Sequence, residues 1–312
     1  MARNLAVQRT GNEIFLSEKS VGRGGHAFHD GGMARFASYD GTKIGYRVLG
    51  DGPPVVCLPG GPGRTAEYFG DLGGLSMSRQ LVMPDTRGTG ESEDAADPSS
   101  YRCDRLVGDV EALRVHLGLS RMDLLGHSAA GNLAILYVAA YPERIARLIL
   151  LTPGLTALGA DESEEVWWAA LERRSGEQWY PDALAAMARA EAGDQTVENR
   201  REYMPFFYGR WDDAAQAHAG VGISERARPV MANFRAEGAF SPGVTREAIG
   251  GLTAPVLLYG GELDADPAPE TLQAAALLVP HATVIVQQAA AHFPWLDDPD
   301  AFSAAIDEFL GS

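Results

Sequence analysis

The most constraining feature of this sequence is a serine placed between a strand pattern and a helix pattern. The segment 126–131 reads Gly-His-Ser-Ala-Ala-Gly; it follows the run 121–125 and precedes a helical pattern at 132–141. At so sharp a strand-to-helix turn the hydroxyl of Ser128 projects from the end of the sheet, and small neighbours are needed because the backbone turns tightly. The same residues also suit a serine that caps a helix, followed by a packing glycine. The motif alone leaves both interpretations open.

Strand and helix patterns alternate on both sides of this serine. Runs typical of strands occur at 34–38, 43–48, 54–58, 80–83, 122–125, 148–151, 255–259 and 283–286. Helical spacing of apolar residues occurs at 105–117, 132–141, 271–278 and 301–310. This alternation predicts the α/β class, with a mainly parallel sheet flanked by helices.

The strand patterns stop in the middle of the chain. From about residue 156 to residue 239 the sequence is rich in Ala, Glu, Arg and Trp and has helical periodicity. We therefore predict a sheet domain in two parts, 34–155 and 240–312, with a helical cap at 156–239. Residues 1–33 are polar and glycine-rich, and we interpret them as a poorly ordered extension. His26 and His29 in this extension make a weak metal site, since two histidines are too few.

Composition limits the classes of partner. The 312 residues are 46% hydrophobic and 22% charged, as in soluble globular proteins, and the formal charge of −16 disfavours nucleic acids and anionic membranes. No apolar stretch approaches the ~20 residues of a membrane span, and the N-terminus lacks the apolar segment of a signal peptide. With only Cys57 and Cys103, a structural disulfide is not expected. We expect a cytoplasmic monomer or homodimer.

An acid and a base follow later strands. Asp264 comes after the strand pattern 255–259, and His292 comes after 283–286. A serine nucleophile needs a histidine to accept its proton and an acid to orient that histidine, and the order Ser128, Asp264, His292 is typical of α/β-hydrolases. Asp266 is the less favoured alternative acid. Among the other histidines, His218 in the cap is interpreted as a helix-surface residue.

A glycine loop follows the strand pattern 54–58. Its sequence at 59–63 is Pro-Gly-Gly-Pro-Gly, in which bare backbone N–H groups can approach a carbonyl oxygen. We predict that the N–H groups of Gly61 and Ala129 form an oxyanion hole. A tight turn without a catalytic role is the alternative interpretation.

Together these motifs resemble α/β-hydrolases of the proline iminopeptidase type. That family has His-Gly-Gly-Pro-Gly after its third strand, Asp-x-Arg-Gly-x-Gly-x-Ser after its fourth and Gly-x-Ser-x-Gly at the nucleophile. This chain has Pro59 to Gly63, Asp85 to Ser92 and Gly126 to Ala130 in these places, and the similarity spans about 34–155 and 240–312. Pro59 replaces the histidine and Ala130 the last glycine. Neither change removes a proton-transfer group.

The resemblance implies that acidic residues of the cap bind the free α-amine of the substrate. The cap acids are Glu162, Glu164, Glu165, Glu202, Asp212, Asp213, Glu225 and Glu237. Glu202, Asp212 and Glu237 are the candidates for substrate binding. The segment 228–234 is similar to a family segment that holds one of the amine-binding glutamates, but in this chain an apolar residue takes the place of that glutamate. An aromatic cluster offers further candidates for a substrate pocket, namely Phe206, Phe207, Tyr208 and Trp211. Trp167 and Trp168 are interpreted as packing residues.

These observations predict a serine hydrolase that needs no metal or organic cofactor and takes a small-molecule or short peptide substrate. The leading hypothesis is cleavage of an amide next to a free amino terminus, by an aminopeptidase of the proline iminopeptidase type or an aminoacyl-amide hydrolase. An esterase or lactonase for apolar substrates is the alternative, and cap acids near Ser128 would favour the first. A non-catalytic binding protein on this fold is a third hypothesis.

Overall fold

The computed structural model describes residues 5–10, 13–18, 32–194, 196–224 and 227–311. The first two ranges belong to a small separate unit, residues 1–30, in which β1 (Leu5–Thr10) pairs with β2 (Glu13–Glu18) in antiparallel orientation. The sequence analysis assigned no strand to this segment. His26 and His29 lie outside the described residues.

The second unit is built on one eight-stranded sheet. Its strands are β3 (Ala34–Ala37), β4 (Lys43–Leu49), β5 (Pro54–Leu58), β6 (Gln80–Pro84), β7 (Met122–His127), β8 (Ile145–Leu151), β9 (Val256–Gly261) and β10 (Ala282–Gln287). Their order is β10-β9-β8-β7-β5-β6-β4-β3, with β4 antiparallel to both its neighbours and β5 to β10 parallel. This arrangement confirms the predicted α/β-hydrolase fold.

Helices cover both faces of this sheet. They are α1 (Cys103–His116), α2 (Ala129–Ala140), α8 (Pro242–Ile249), α9 (Pro269–Ala276), α10 (Pro294–Asp297) and α11 (Pro299–Leu310). Because side chains alternate along a strand, Val56 and Leu58 of β5 join the core with α1 and α2, whereas Val55 and Cys57 join the core with α11. Strand ends are thereby fixed from both sides, which holds the loops at the carboxyl edge in place.

In the residues that the structure describes, five α-helices lie between β8 and α8. They are α3 (Glu164–Glu172), α4 (Tyr180–Glu191), α5 (Val197–Tyr203), α6 (Asp213–Ala219) and α7 (Arg228–Asn233), called the insertion below. Side chains cap three of them, since Ser163, Thr196 and Asp212 each accept a backbone N–H at the helix start. Leu171, Met187 and other apolar residues of the insertion form a small core together with Ala265 and Ala268, which follow β9.

The loop after β6 carries the Asp-x-Arg-Gly-x-Gly-x-Ser motif and is folded around its aspartate. The carboxylate of Asp85 accepts the N–H groups of Ala66 at 2.8 Å and Glu91 at 3.1 Å. Gly90 has a positive φ of 46°, and a Cβ there would lie 2.1 Å from Asp85 Oδ2, so only glycine fits. The motif stabilises the loop that adjoins the glycine loop.

Two further features concern the cysteines and the helices. Cys57 and Cys103 are both buried, and the two do not form a disulfide. None of the helices in the described ranges is long and apolar enough to cross a membrane.

Candidate active site

Ser128 occupies the turn between β7 and α2 in a backbone conformation that is rare for a residue with a side chain. Its φ is 55° and its ψ is −128°, while its N–H donates to the carbonyl of Leu151 at 3.0 Å. The hydroxyl makes no capping hydrogen bond to α2. Ser128 stands at the N-cap position of α2, but its side chain does not cap the helix, as the alternative interpretation required.

Small residues around Ser128 are required by close backbone contacts. A Cβ on Gly126 would lie 2.6 Å from the carbonyl oxygen of Ala130, and a Cβ on Gly60 would lie 2.7 Å from Cβ of Ser128. Ala130, which stands where the related family has glycine, is buried. This alanine belongs to the core cluster in which α2 packs against the sheet.

The three side chains proposed for acyl transfer form one hydrogen-bonded chain. His292 Nε2 lies 2.9 Å from Ser128 Oγ, and His292 Nδ1 lies 2.9 Å from Asp264 Oδ2. Asp264 follows β9 and His292 follows β10, so adjacent parallel strands bring both to one edge of the sheet. The backbone N–H of Asp266 donates to Asp264 Oδ1 at 3.1 Å. The carboxylate that bonds to the imidazole is that of Asp264. The predicted acid is the one in contact with the histidine.

The backbone of His292 is held on three sides. Its N–H donates to the carbonyl of Phe207 in the insertion at 3.1 Å. Its carbonyl accepts from Nε2 of His127 at 3.0 Å and from Oγ1 of Thr152 at 3.1 Å. The position of the imidazole is thus set by β7, β8 and the insertion together.

The pKa of His292 is raised above its ordinary value of 6.5. Burial lowers this pKa, but the charge of the Asp264 carboxylate and the hydrogen bond to it raise the pKa by more. The imidazole therefore gains a proton readily, as a general base must, and the resulting cation would be stabilised next to Asp264.

His127, next to the nucleophile, is a residue that the sequence analysis missed. It is fully buried, and burial holds its pKa well below the ordinary value, so the ring is neutral. Since Nε2 faces the carbonyl oxygen of His292, Nε2 carries the proton and Nδ1 accepts. The hydroxyl of Tyr68 then donates to Nδ1 at 2.6 Å and accepts the N–H of Gly60 at 2.8 Å. This chain links the glycine loop to the histidine loop.

The two N–H groups predicted for the oxyanion hole are available. Ala129 is the first residue of α2, and Gly61 has a φ of 118° in the glycine loop. Neither N–H has an acceptor within the part of the chain that the structure describes. Gly61 and Ser128 line the same cavity.

This cavity has a volume of about 240 Å³ and lies between the sheet edge and the insertion. Ser128, His292 and the glycine loop line it on the sheet side. Its other lining is largely apolar or aromatic and includes Tyr203, Met204, Phe207, Ile223, Met231 and Phe293. The charged side chains among its described lining residues are Arg64 and Arg200; aspartate and glutamate are absent from that lining.

Of the aromatic residues predicted to contact substrate, only Phe207 lines this cavity. Phe206 points into the core of the insertion and packs on Trp179, with 5.1 Å between the two ring centroids. Tyr208 is buried against Phe293, and Trp211 packs on Tyr208. Successive residues of the short 3-10 helix Met204–Phe207 face different directions, so aromatic density alone did not show which of them meets the cavity.

The acids predicted to contact substrate also lie elsewhere. Glu202 is exposed and pairs with Arg189. Asp212 caps α6 by accepting the N–H of Ala215 at 2.9 Å. Glu237 is exposed as well, and Glu225 lies outside the described residues. These carboxylates stay hydrated or cap helices because burial without a partner is costly.

His218 corrects a further expectation. It is half-buried, with Nδ1 2.8 Å from the hydroxyl of Tyr208 and Nε2 2.8 Å from the carbonyl of Tyr68. Burial lowers its pKa to about 4. His218 thus joins the insertion to the core and is not a helix-surface residue. A helical spacing pattern does not reveal contacts of this kind.

Comparison with known proteins agrees with this architecture. A family model described as "alpha/beta hydrolase fold" matches residues 53–299. The chain belongs to this family. Its membership and the hydrogen-bonded side chains at the sheet edge support a hydrolase activity. In the described ranges no group of three or more His, Cys, Asp or Glu side chains is arranged to hold a metal ion.

Similar proteins include peptidases and an esterase. A proline iminopeptidase of Heyndrickxia coagulans is 26% identical over 291 residues, which cover 90% of this chain and 96% of the relative. A proline iminopeptidase of Lactobacillus helveticus is 44% identical over 117 residues, or 35% of this chain and 40% of the relative. The crystal structure of the esterase RhEst1 from Rhodococcus sp. ECU1013 has a TM-score of 0.70 at 24% identity, covering 90% of this chain and 98% of that one.

Proposed function

We propose that this protein is a serine hydrolase that cleaves a carboxylic ester or amide through an acyl-enzyme. The observation that carries the proposal is the chain of hydrogen bonds Asp264–His292–Ser128, which ends in the cavity. His292 accepts the proton of Ser128 while Oγ of Ser128 attacks the carbonyl carbon of the substrate. Asp264 stabilises the imidazolium that forms. The N–H groups of Gly61 and Ala129 stabilise the oxyanion.

The second half of the reaction reverses these proton transfers. The imidazolium of His292 gives its proton to the leaving oxygen or nitrogen, which departs as the alcohol or amine. Water then gives a proton to His292 as it attacks the acyl carbon. Ser128 recovers its proton, and the carboxylic acid is released.

Within this mechanism the cavity favours an ester or amide without a free amine. An ammonium bound in a closed pocket needs a fixed carboxylate, and the described lining contains two arginines and no carboxylate. Met231 of α7, in the segment where the related family has a glutamate, is one of the lining residues. We therefore place ester or simple amide hydrolysis ahead of the aminopeptidase hypothesis.

The aminopeptidase activity is the second candidate. It is favoured by similarity to the Heyndrickxia coagulans proline iminopeptidase, which extends over 90% of this chain. At 26% identity that likeness leaves the substrate open, because the contacts in the insertion can differ while the core is retained.

A comparison of substrates tests the two candidates. The rates to measure are kcat/KM for Pro-, Ala- and Leu-aminoacyl chromogenic amides, for their N-acetylated forms and for short acyl esters. We expect the esters to be cleaved fastest and N-acetylation not to reduce the amide rate. A clear preference for the unblocked amides would establish the aminopeptidase instead. Absence of turnover, together with no reaction of Ser128 with a fluorophosphonate, would indicate a binding protein.

A further inference from the structure

Two arginines line the same cavity as Ser128 and His292. Arg64 follows the glycine loop, and Arg200 projects from α5 in the insertion. We propose that these two arginines bind a carboxylate of the substrate, so that the ester or amide that is cleaved carries a second, anionic carboxyl group. This inference rests on the proposed function and defines the substrate class of the same site.

Arg64 is fixed in one orientation by groups that do not neutralise it. Its Nε donates to the carbonyl of Val221 at 2.7 Å and its Nη2 donates to that of His218 at 2.7 Å. The guanidinium carbon lies 4.3 Å from the ring centre of Tyr68 and 5.3 Å from that of Phe293. A cation held in this way loses little side-chain entropy when it binds a ligand.

The charges of both arginines lack a carboxylate partner. Neither lies within 4.0 Å of an Asp or Glu oxygen in the described parts of the chain, although acidic residues outnumber basic ones by 42 to 26. By contrast, the buried Arg87 has Asp109 and Asp40 as partners. An unpaired cation away from bulk water is unfavourable. A ligand carboxylate would supply the missing partner through charge-assisted hydrogen bonds.

The charge of Arg64 also acts on His292 and on two other histidines near the cavity. It contributes to the lowered pKa of His127 and of His218, and it opposes the rise in the pKa of His292. The positive charge of Arg64 is therefore felt at His292, next to Ser128. The same field would repel a substrate ammonium and attract an anion.

The remaining walls complete the expected substrate. Tyr203, Met204, Phe207, Ile223 and Met231 offer apolar and aromatic surface. This lining fits a molecule with an apolar body, a reacting carbonyl near Ser128 and one anionic end near the arginines.

Two matched pairs of esters test this inference on the full chain. The first pair places the charge on the acyl side: mono-p-nitrophenyl adipate against p-nitrophenyl hexanoate. The second places it on the leaving group: 4-carboxyphenyl hexanoate against phenyl hexanoate. The measured quantity is the ratio of kcat/KM for the charged ester to that for the neutral ester. We expect a ratio above one in at least one pair.

Substitutions at Arg200 test which residue recognises the charge. Arg200→Gln should lower that ratio about 10- to 100-fold, the effect of losing hydrogen bonds to a charged group, and Arg200→Glu should lower it further. Arg201→Gln is the control, since it removes the same charge from an exposed neighbour on α5 and should leave the ratio unchanged. Arg64→Lys, which keeps the charge but loses the two-carbonyl anchorage, should give a smaller decrease than Arg200→Gln.

The outcomes separate this inference from the proposed function. The first outcome is that the neutral esters are hydrolysed, that both ratios are one or less, and that Arg200→Gln changes neither ratio. The anion site is then wrong, while the proposed serine hydrolase stands. If no ester is hydrolysed, the proposed function fails, and calorimetry with adipate then decides the anion site. Binding to the wild type that Arg200→Gln weakens would support it. Equal or absent binding in both would overturn it.

Discussion

The sheet core and the insertion contribute to one cavity in different ways. In the core, Ser128, Asp264 and His292 each follow a parallel strand, so the register of β7, β9 and β10 brings them together. In the insertion, Phe207 faces the cavity while its neighbour Phe206 faces the interior of the insertion. Strand order therefore positions the three side chains that we propose to react, whereas the lining that faces a substrate depends on how short helices pack.

Removing the hydroxyl of Ser128 gives the largest effect that this comparison predicts. Ser128→Ala should lower kcat about 10⁵-fold, since the nucleophile of an acyl-enzyme mechanism cannot be replaced by a methyl group. The measurement is kcat for a p-nitrophenyl ester, with the thermal unfolding midpoint as the control for folding. A variant that keeps near-normal activity would rule out the assignment of the nucleophile.

Asp264→Asn should lower kcat about 10⁴-fold, as the equivalent change does in other triads. The wild-type rate should fall as pH drops below the pKa of His292, because the base must be neutral, and this pKa lies above 6.5. Without the Asp264 charge, burial dominates, so the fall should move to lower pH. Asp266→Asn is the matched control, with a loss below about 10-fold. If Asp266→Asn has the larger effect, the acid is assigned wrongly.

Phe206 and Phe207 separate packing from substrate contact within the insertion. Phe206→Ala should lower the free energy of unfolding by about 3 kcal/mol or more, because it empties a buried site. Phe207→Ala should lower kcat/KM roughly 10-fold, because the half-buried side chain of Phe207 lines the cavity. Its loss in the free energy of unfolding should be smaller than that of Phe206→Ala. Chemical denaturation and ester kinetics measure the two effects. The reverse pattern would contradict the difference in direction between these neighbours.

Among these substitutions in the sheet core, Tyr68→Phe should lower kcat the least. It removes the acceptor of the Gly60 N–H and the donor to His127, which costs about 1–3 kcal/mol. We expect kcat to decrease roughly 10-fold, with a smaller change in KM, because the glycine loop loses its link to His127. Tyr46→Phe is the control, since the hydroxyl of Tyr46 bonds to His116 Nε2 at 3.0 Å in the same way. Equal losses in both variants would reduce the role of Tyr68 to general stability.

The sequence predicted the core well because its signals are local. The sharp turn at Ser128 needs the small residues around it, and the acid and histidine follow recognisable strand runs. The alternation of strands and helices predicted the order of elements, and the sequence favoured Asp264 over Asp266 as the acid. The signals for Ser128, Asp264 and His292 each lie within a few residues of the side chain concerned.

The contacts that the sequence did not reveal are those that join distant segments. His127 directly precedes the nucleophile in the sequence, but nothing in the motif indicates that its ring bonds to Tyr68 and to the backbone of His292. Arg64 has its partners in the carbonyls of His218 and Val221, far along the chain. No spacing rule indicates such contacts, because they depend on where the insertion packs against the glycine loop.

Covalent labelling tests the central claim most directly. The full chain is treated with a fluorophosphonate at neutral pH, and the intact mass and the peptide that contains Ser128 are measured. The account predicts one adduct per chain, located on Ser128, and loss of labelling in Ser128→Ala. An active enzyme that remains unlabelled, or an adduct on another residue with Ser128 unmodified, would contradict it.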